Sequence, residues 1–64
     1  MNYKERLISE YTSLVDRIAK LEVVIYNDET TVISKEKLEL MQKQFSIMNE
    51  YAEVLRLRLL KEME

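Results

Sequence analysis

Ten lysine and arginine side chains and four tyrosines, in a chain with no histidine and no cysteine, set the limits on its chemistry. Without histidine there is no ordinary general base near neutral pH, and without cysteine there is no thiolate nucleophile or soft metal ligand. A Glu-x-x-His di-iron bundle is excluded. Glu36 and Glu39, like Glu50 and Glu53, share a helix side at (i, i+3) spacing, which suits a solvated face with ion pairs such as Glu39 to Lys43 and only secondarily a hard cation. Ser9, Ser13 and Ser34 have no base to activate them. The expectation is a binding protein, with no catalytic residue, metal site or cofactor.

Two basic groups stand out instead. Arg17 and Lys20 are one helical turn apart, and Arg56, Arg58 and Lys61 crowd the end of the chain, where folding back would add Lys4 and Arg6. Positive charge near a helix C-terminus is favourable in itself, so solvation explains part of this pattern. As binding groups they are phosphate contacts, and tyrosines beside them would stack on bases, the combination a nucleotide needs. Tyr11 occupies a core position where its hydroxyl must find a partner, Tyr51 suits an interface, and Tyr3 and Tyr26 are expected to cover the ends of the core. A net charge of −2 and a pI near 5.2 leave no global field for duplex nucleic acid or an anionic membrane, so neither is an expected partner.

Helices must position these residues. The 64 residues are 47% apolar and 34% charged with no Gly or Pro, a composition that lacks the usual makers of tight turns and favours long helices. Leu7, Tyr11, Leu14, Ile18, Leu21 and Ile25 advance in steps of four and three and predict helix 1 over about residues 2–27. "NDETTVIS" breaks that pattern with side chains that compete for backbone hydrogen bonds, and is expected to be a loop. Ser34 is a fitting N-cap for helix 2, expected over about residues 35–62, with Leu38, Met41, Phe45, Met48, Ala52, Leu55 and Leu59 on its matching stripe. The fold expected is all-α, a single antiparallel two-helix hairpin with coiled-coil-like packing.

Helix 2 carries more apolar surface than one partner can cover. Leu40, Ile47, Tyr51 and Val54 form a second stripe about 120° around from the first, and Ile8 and Val15 flank the stripe of helix 1. A monomer of this size buries only roughly 60% of its unfolded surface, so the second stripe predicts a symmetric homo-oligomeric bundle. No apolar run approaches a membrane span, and the charged "NYKER" start lacks an apolar signal core, so the chain is expected to be soluble and untargeted.

"YKERLISEYTSLVDRIAKLEVVI", a short polar loop and "LMQKQFSIMNEYAEVLRLRL" together resemble the phage helical hairpin of sponge proteins that counter cyclic-oligonucleotide (CBASS) and Thoeris antiphage signalling. The resemblance covers about Tyr3 to Leu59 and is carried by Arg6-Leu7, Glu10-Tyr11, Leu14, Arg17-Ile18, Lys20-Leu21, Gln44, Met48, Tyr51, Leu55 and Arg58. It implies a cytoplasmic protein of the infected cell that sequesters a cyclic dinucleotide, cyclic trinucleotide or cyclic ADP-ribose-type signal without cleaving it. It also implies pockets between subunits of a homo-oligomer, often a hexamer, with Tyr11 stacking on a base and Arg17 and Lys20 on phosphates. Arg58, from the second basic group, completes the expected ligand set. The competing expectation is a coiled-coil adaptor whose second stripe binds a partner helix and which has no small-molecule ligand.

Overall fold

The computed structural model describes residues 2–26 and 34–64, so the expected loop lies outside the described residues apart from Ser34. Two helices, α1 (Tyr3–Tyr26) and α2 (Lys35–Glu62), pack side by side as a hairpin, with no strand among the described residues. Each helix start has a side chain that satisfies an otherwise orphaned backbone donor. The Asn2 side-chain oxygen accepts from the Glu5 N–H at 2.8 Å, and Ser34, in extended conformation, accepts from the Lys37 N–H at 3.3 Å. Glu5 and Glu36 add negative charge to the first turns, where the helix dipole favours it. At the far end of α2 the Met63 N–H bonds to the Leu60 carbonyl at 3.2 Å and closes the last turn.

The four-three stripes account for all of the burial. Leu7, Tyr11, Leu14, Ile18, Leu21 and Ile25 on α1, and Leu38, Met41, Phe45, Met48, Ala52, Leu55 and Leu59 on α2, are the buried or half-buried positions. Every other described residue is exposed. Only Leu7, Leu14 and Leu55 are fully enclosed, with Leu55 at 0% exposure, and Tyr11, Ile18, Met48, Ala52 and Leu59 pack against that trio. Enclosing each leucine contributes about 1.5–3 kcal/mol relative to leaving it wet. The tightest packing therefore lies toward the end of the hairpin where the chain begins and α2 finishes. Tyr26, expected over the core, is 71% exposed and covers none of it.

A single seam leaves the molecule long and thin, 46 × 17 × 14 Å. Its radius of gyration is 14.7 Å, against about 10.7 Å for a globular chain of this length. The exposed surface is 5289 Å², where a compact chain of the same mass exposes about 4300 Å². Leu40, Ile47, Tyr51 and Val54 of the second α2 stripe all lie exposed, as do Ile8 and Val15.

Candidate functional site

The two-helix packing brings the last turns of α2 beside the first turns of α1, and Arg58 becomes the meeting point. One Nη2 N–H of Arg58 donates to the Tyr3 hydroxyl at 2.7 Å, and the guanidinium carbon lies 5.9 Å from the centre of the Tyr3 ring. The hydrogen bond to Tyr3, more than any other neighbour, raises the Arg58 pKa and holds it charged. Tyr3 is thus a partner of Arg58 and not the plain cover of the core that its position suggested.

Arg58 borders two concave regions. With Tyr3, Arg6, Leu7 and Glu10 it lines an open cavity of about 320 Å³, and with Val54, Leu57, Leu60, Lys61 and Glu64 it lines a groove of about 450 Å³. Arg6 does join the second basic group as the folding-back argument predicted, and Glu10 brings an opposing charge into the same cavity. Arg56 is committed elsewhere: its Nε and Nη2 make a bidentate contact to Glu53 at 2.9 and 2.6 Å. That pairing lowers the Glu53 pKa and raises that of Arg56.

The remaining expected ligand residues lie on other surfaces of the protomer. Tyr11 is half-buried in the seam against Leu7, Leu14 and Leu55. Arg17 is exposed, with its Nε donating to the Ser13 carbonyl at 3.4 Å, and Lys20 is exposed and paired with Asp16 at 3.0 Å. At about 100° per residue, Lys20 falls about 180° around α1 from Tyr11, and Arg17 about 120° from it. Arg17 and Lys20 therefore keep each other's company but not that of Tyr11, and Arg58 keeps that of Tyr3. Among the described residues the side-chain ion pairs are Lys20–Asp16, Arg56–Glu53 and Lys61–Glu64. The expected Glu39–Lys43 pair is not one of them.

Sequence reasoning passed over the groove because Leu57 and Leu60 belong to neither stripe. The signal was present all the same: Leu57 and Leu60 are the apolar residues left over from both stripes, and two basic side chains, Arg58 and Lys61, are interleaved with them. No helix of the described residues is long and apolar enough to cross a membrane.

A slender helical hairpin with basic side chains, surface tyrosines and an uncovered apolar flank is a scaffold for binding. The chain belongs to the Sequestin family, whose model matches residues 1–61, and the family name points to the binding of a ligand. Neither a curated protein nor a solved structure matches the chain.

Proposed function

We propose that this chain is a phage-encoded sponge that binds a cyclic nucleotide second messenger intact and withholds it from its effector in the cytoplasm of the infected cell. The observation that carries this is the Sequestin match over residues 1–61. The chemistry of the surface agrees with a nucleotide: phenol rings stack on bases, and guanidinium and ammonium groups hold phosphates. The ligand residues are Tyr11, Arg17, Lys20 and Arg58. Since Tyr11 and Lys20 face opposite ways on α1, one copy does not close a pocket, and the proposed pocket draws on adjacent copies of a homo-oligomer, a hexamer by the family resemblance. The exposed second stripe supports that association, since its four side chains per copy, at about 1.5–3 kcal/mol each when fully buried, are of the order of the cost of bringing subunits together.

The test is a thermal-shift panel of cyclic dinucleotides, cyclic trinucleotides and cyclic ADP-ribose isomers, with the ligand recovered after denaturation. At a ligand concentration about 100-fold above its Kd, binding adds about 2.7 kcal/mol to the folded state. The expected result is a raised midpoint with at least one class and ligand returned chemically unchanged. Flat melting curves across the panel would sink the proposal in favour of the adaptor, which the exposed stripe of α2 also suits.

A further inference from the structure

Association can be given a face, an axis and a register. We infer that α2 pairs with α2 of a second copy, antiparallel about a two-fold axis at Ile47. This goes beyond the ligand reading and rests only on its element of self-association.

Three features of the α2 surface are compatible with that register. The first is the apolar stripe, Leu40, Ile47 and Val54, at seven-residue spacing and exposed along its length. Seven-residue spacing is what keeps one helix against another over several turns. An antiparallel two-fold through Ile47 puts Ile47 opposite itself and Leu40 opposite Val54, so each apolar residue meets another. The second is shape. Leu40, at 68% exposure, projects from α2 near its start, while the groove lined by Val54, Leu57, Leu60 and the stems of Arg58 and Lys61 is a hollow near its end. The same axis sets the Leu40 of each copy level with Val54, at the near edge of the groove of the other. The third is charge. Glu36 and Arg58 both lie on the flank of this stripe, and the axis sets the Glu36 of one copy beside the Arg58 of the other, twice by symmetry. Arg58 spends one of its five donors on Tyr3, which leaves the rest of the guanidinium for a carboxylate.

A parallel α2 pair would align Glu36 with Glu36 and Arg58 with Arg58, and a shift of one turn in either direction would part Leu40 from Val54 and Glu36 from Arg58. An isologous interface needs the self-complementarity that the antiparallel register provides. The lone tyrosine of the stripe, Tyr51, then sits level with Lys43 of the opposite helix, a cation over an aromatic edge of the interface.

The chain has no native cysteine, so a single introduced thiol reports on geometry directly. Ile47→Cys is expected to cross-link copies under mild oxidation or with a short bismaleimide, and Val15→Cys, exposed on α1, is not. Glu36→Arg is expected to weaken self-association about tenfold through two symmetric contacts, and adding Arg58→Glu to restore it relative to Arg58→Glu alone. Far-UV circular dichroism confirms that each variant keeps its helices. Failure of Ile47→Cys to cross-link an associated protein, or a charge exchange with no rescue, overturns this pairing. Running the cyclic nucleotide panel on the Ile47→Cys protein, which keeps all four proposed ligand residues, separates the two proposals: cross-linking without a thermal shift keeps the pairing and removes the ligand, and a shift without cross-linking does the reverse.

Discussion

The two apolar faces of α2 are built from the same kinds of side chain at the same seven-residue rhythm, yet they meet opposite fates. Leu38, Met41, Phe45, Met48, Ala52, Leu55 and Leu59 are covered by α1, whereas Leu40, Ile47, Tyr51 and Val54 are wet. Apolar spacing is therefore enough to commit a residue to burial but not to say by what. The covered face finds its partner within the chain, and its job ends with the fold. The uncovered face leaves large apolar side chains on a molecule that already shows more total surface than a compact chain of its mass, and so it is where function is expected to be decided.

If that division holds, substitutions on the two faces must fail differently. The largest effect is expected from Leu55→Ala, which opens a cavity at the most enclosed position of the covered face and costs about 2–5 kcal/mol. A single core in so short a chain supplies about 3–5 kcal/mol, so helical ellipticity at 25 °C should largely disappear. A Leu55→Ala protein that melts with the parent would show that the seam is not what holds the helices. Leu40→Asp comes next. It buries nothing within the protomer, so helices persist at high protein concentration while the light-scattering mass falls and the thermal midpoint ceases to depend on concentration. Collapse of the fold on this substitution, with no associated species in the parent, would erase the distinction between the faces. Lys20→Glu, away from both faces, is expected to leave the mass alone, to lower the midpoint slightly because a second carboxylate replaces the cation beside Asp16, and to abolish the shift produced by a cyclic nucleotide.

The covered face was readable because its rule is strict: each apolar four-three position of both helices is buried or half-buried and no other described residue is. Ser34 was readable for a similar reason, since few side chains can accept from a backbone N–H three residues on. Ser34→Ala should accordingly cost about 1 kcal/mol, seen as a lower urea midpoint with unchanged slope. The cap at Asn2 obeys the same chemistry. What escaped was long-range: the Arg58–Tyr3 contact joins residues from opposite ends of the chain, and no local pattern distinguishes Tyr3, which meets a guanidinium, from Tyr26, which meets nothing of the core. The groove escaped because Leu57 and Leu60 break the periodicity, and a concavity depends on how neighbouring turns stand, which spacing alone does not encode. Arg56 escaped in the other direction: counted with the basic group, it turned instead onto Glu53 one turn away.

That last pair gives the smallest expected effect and the sharpest control on the comparison. Glu53 and Arg56 are both exposed, within one helix, and outside both apolar stripes, so their contact should support α2 without regard to either face. The hydrogen bonds from Arg56 depress the Glu53 pKa in the folded chain. A depressed carboxylate binds its proton more readily when unfolded, so the contribution is present above the unfolded glutamate value near ~4.3 and is lost as pH falls through the lower native value. Glu53→Gln removes that dependence. The expected outcome is a slightly lower thermal midpoint at pH 7, a difference from the parent that vanishes below the native Glu53 pKa, and an unchanged light-scattering mass at both pH values. A change in mass would mean that Glu53 and Arg56 touch a second copy, and the associating surface would then extend from the stripe toward the seam, where the two faces of α2 would no longer be separate.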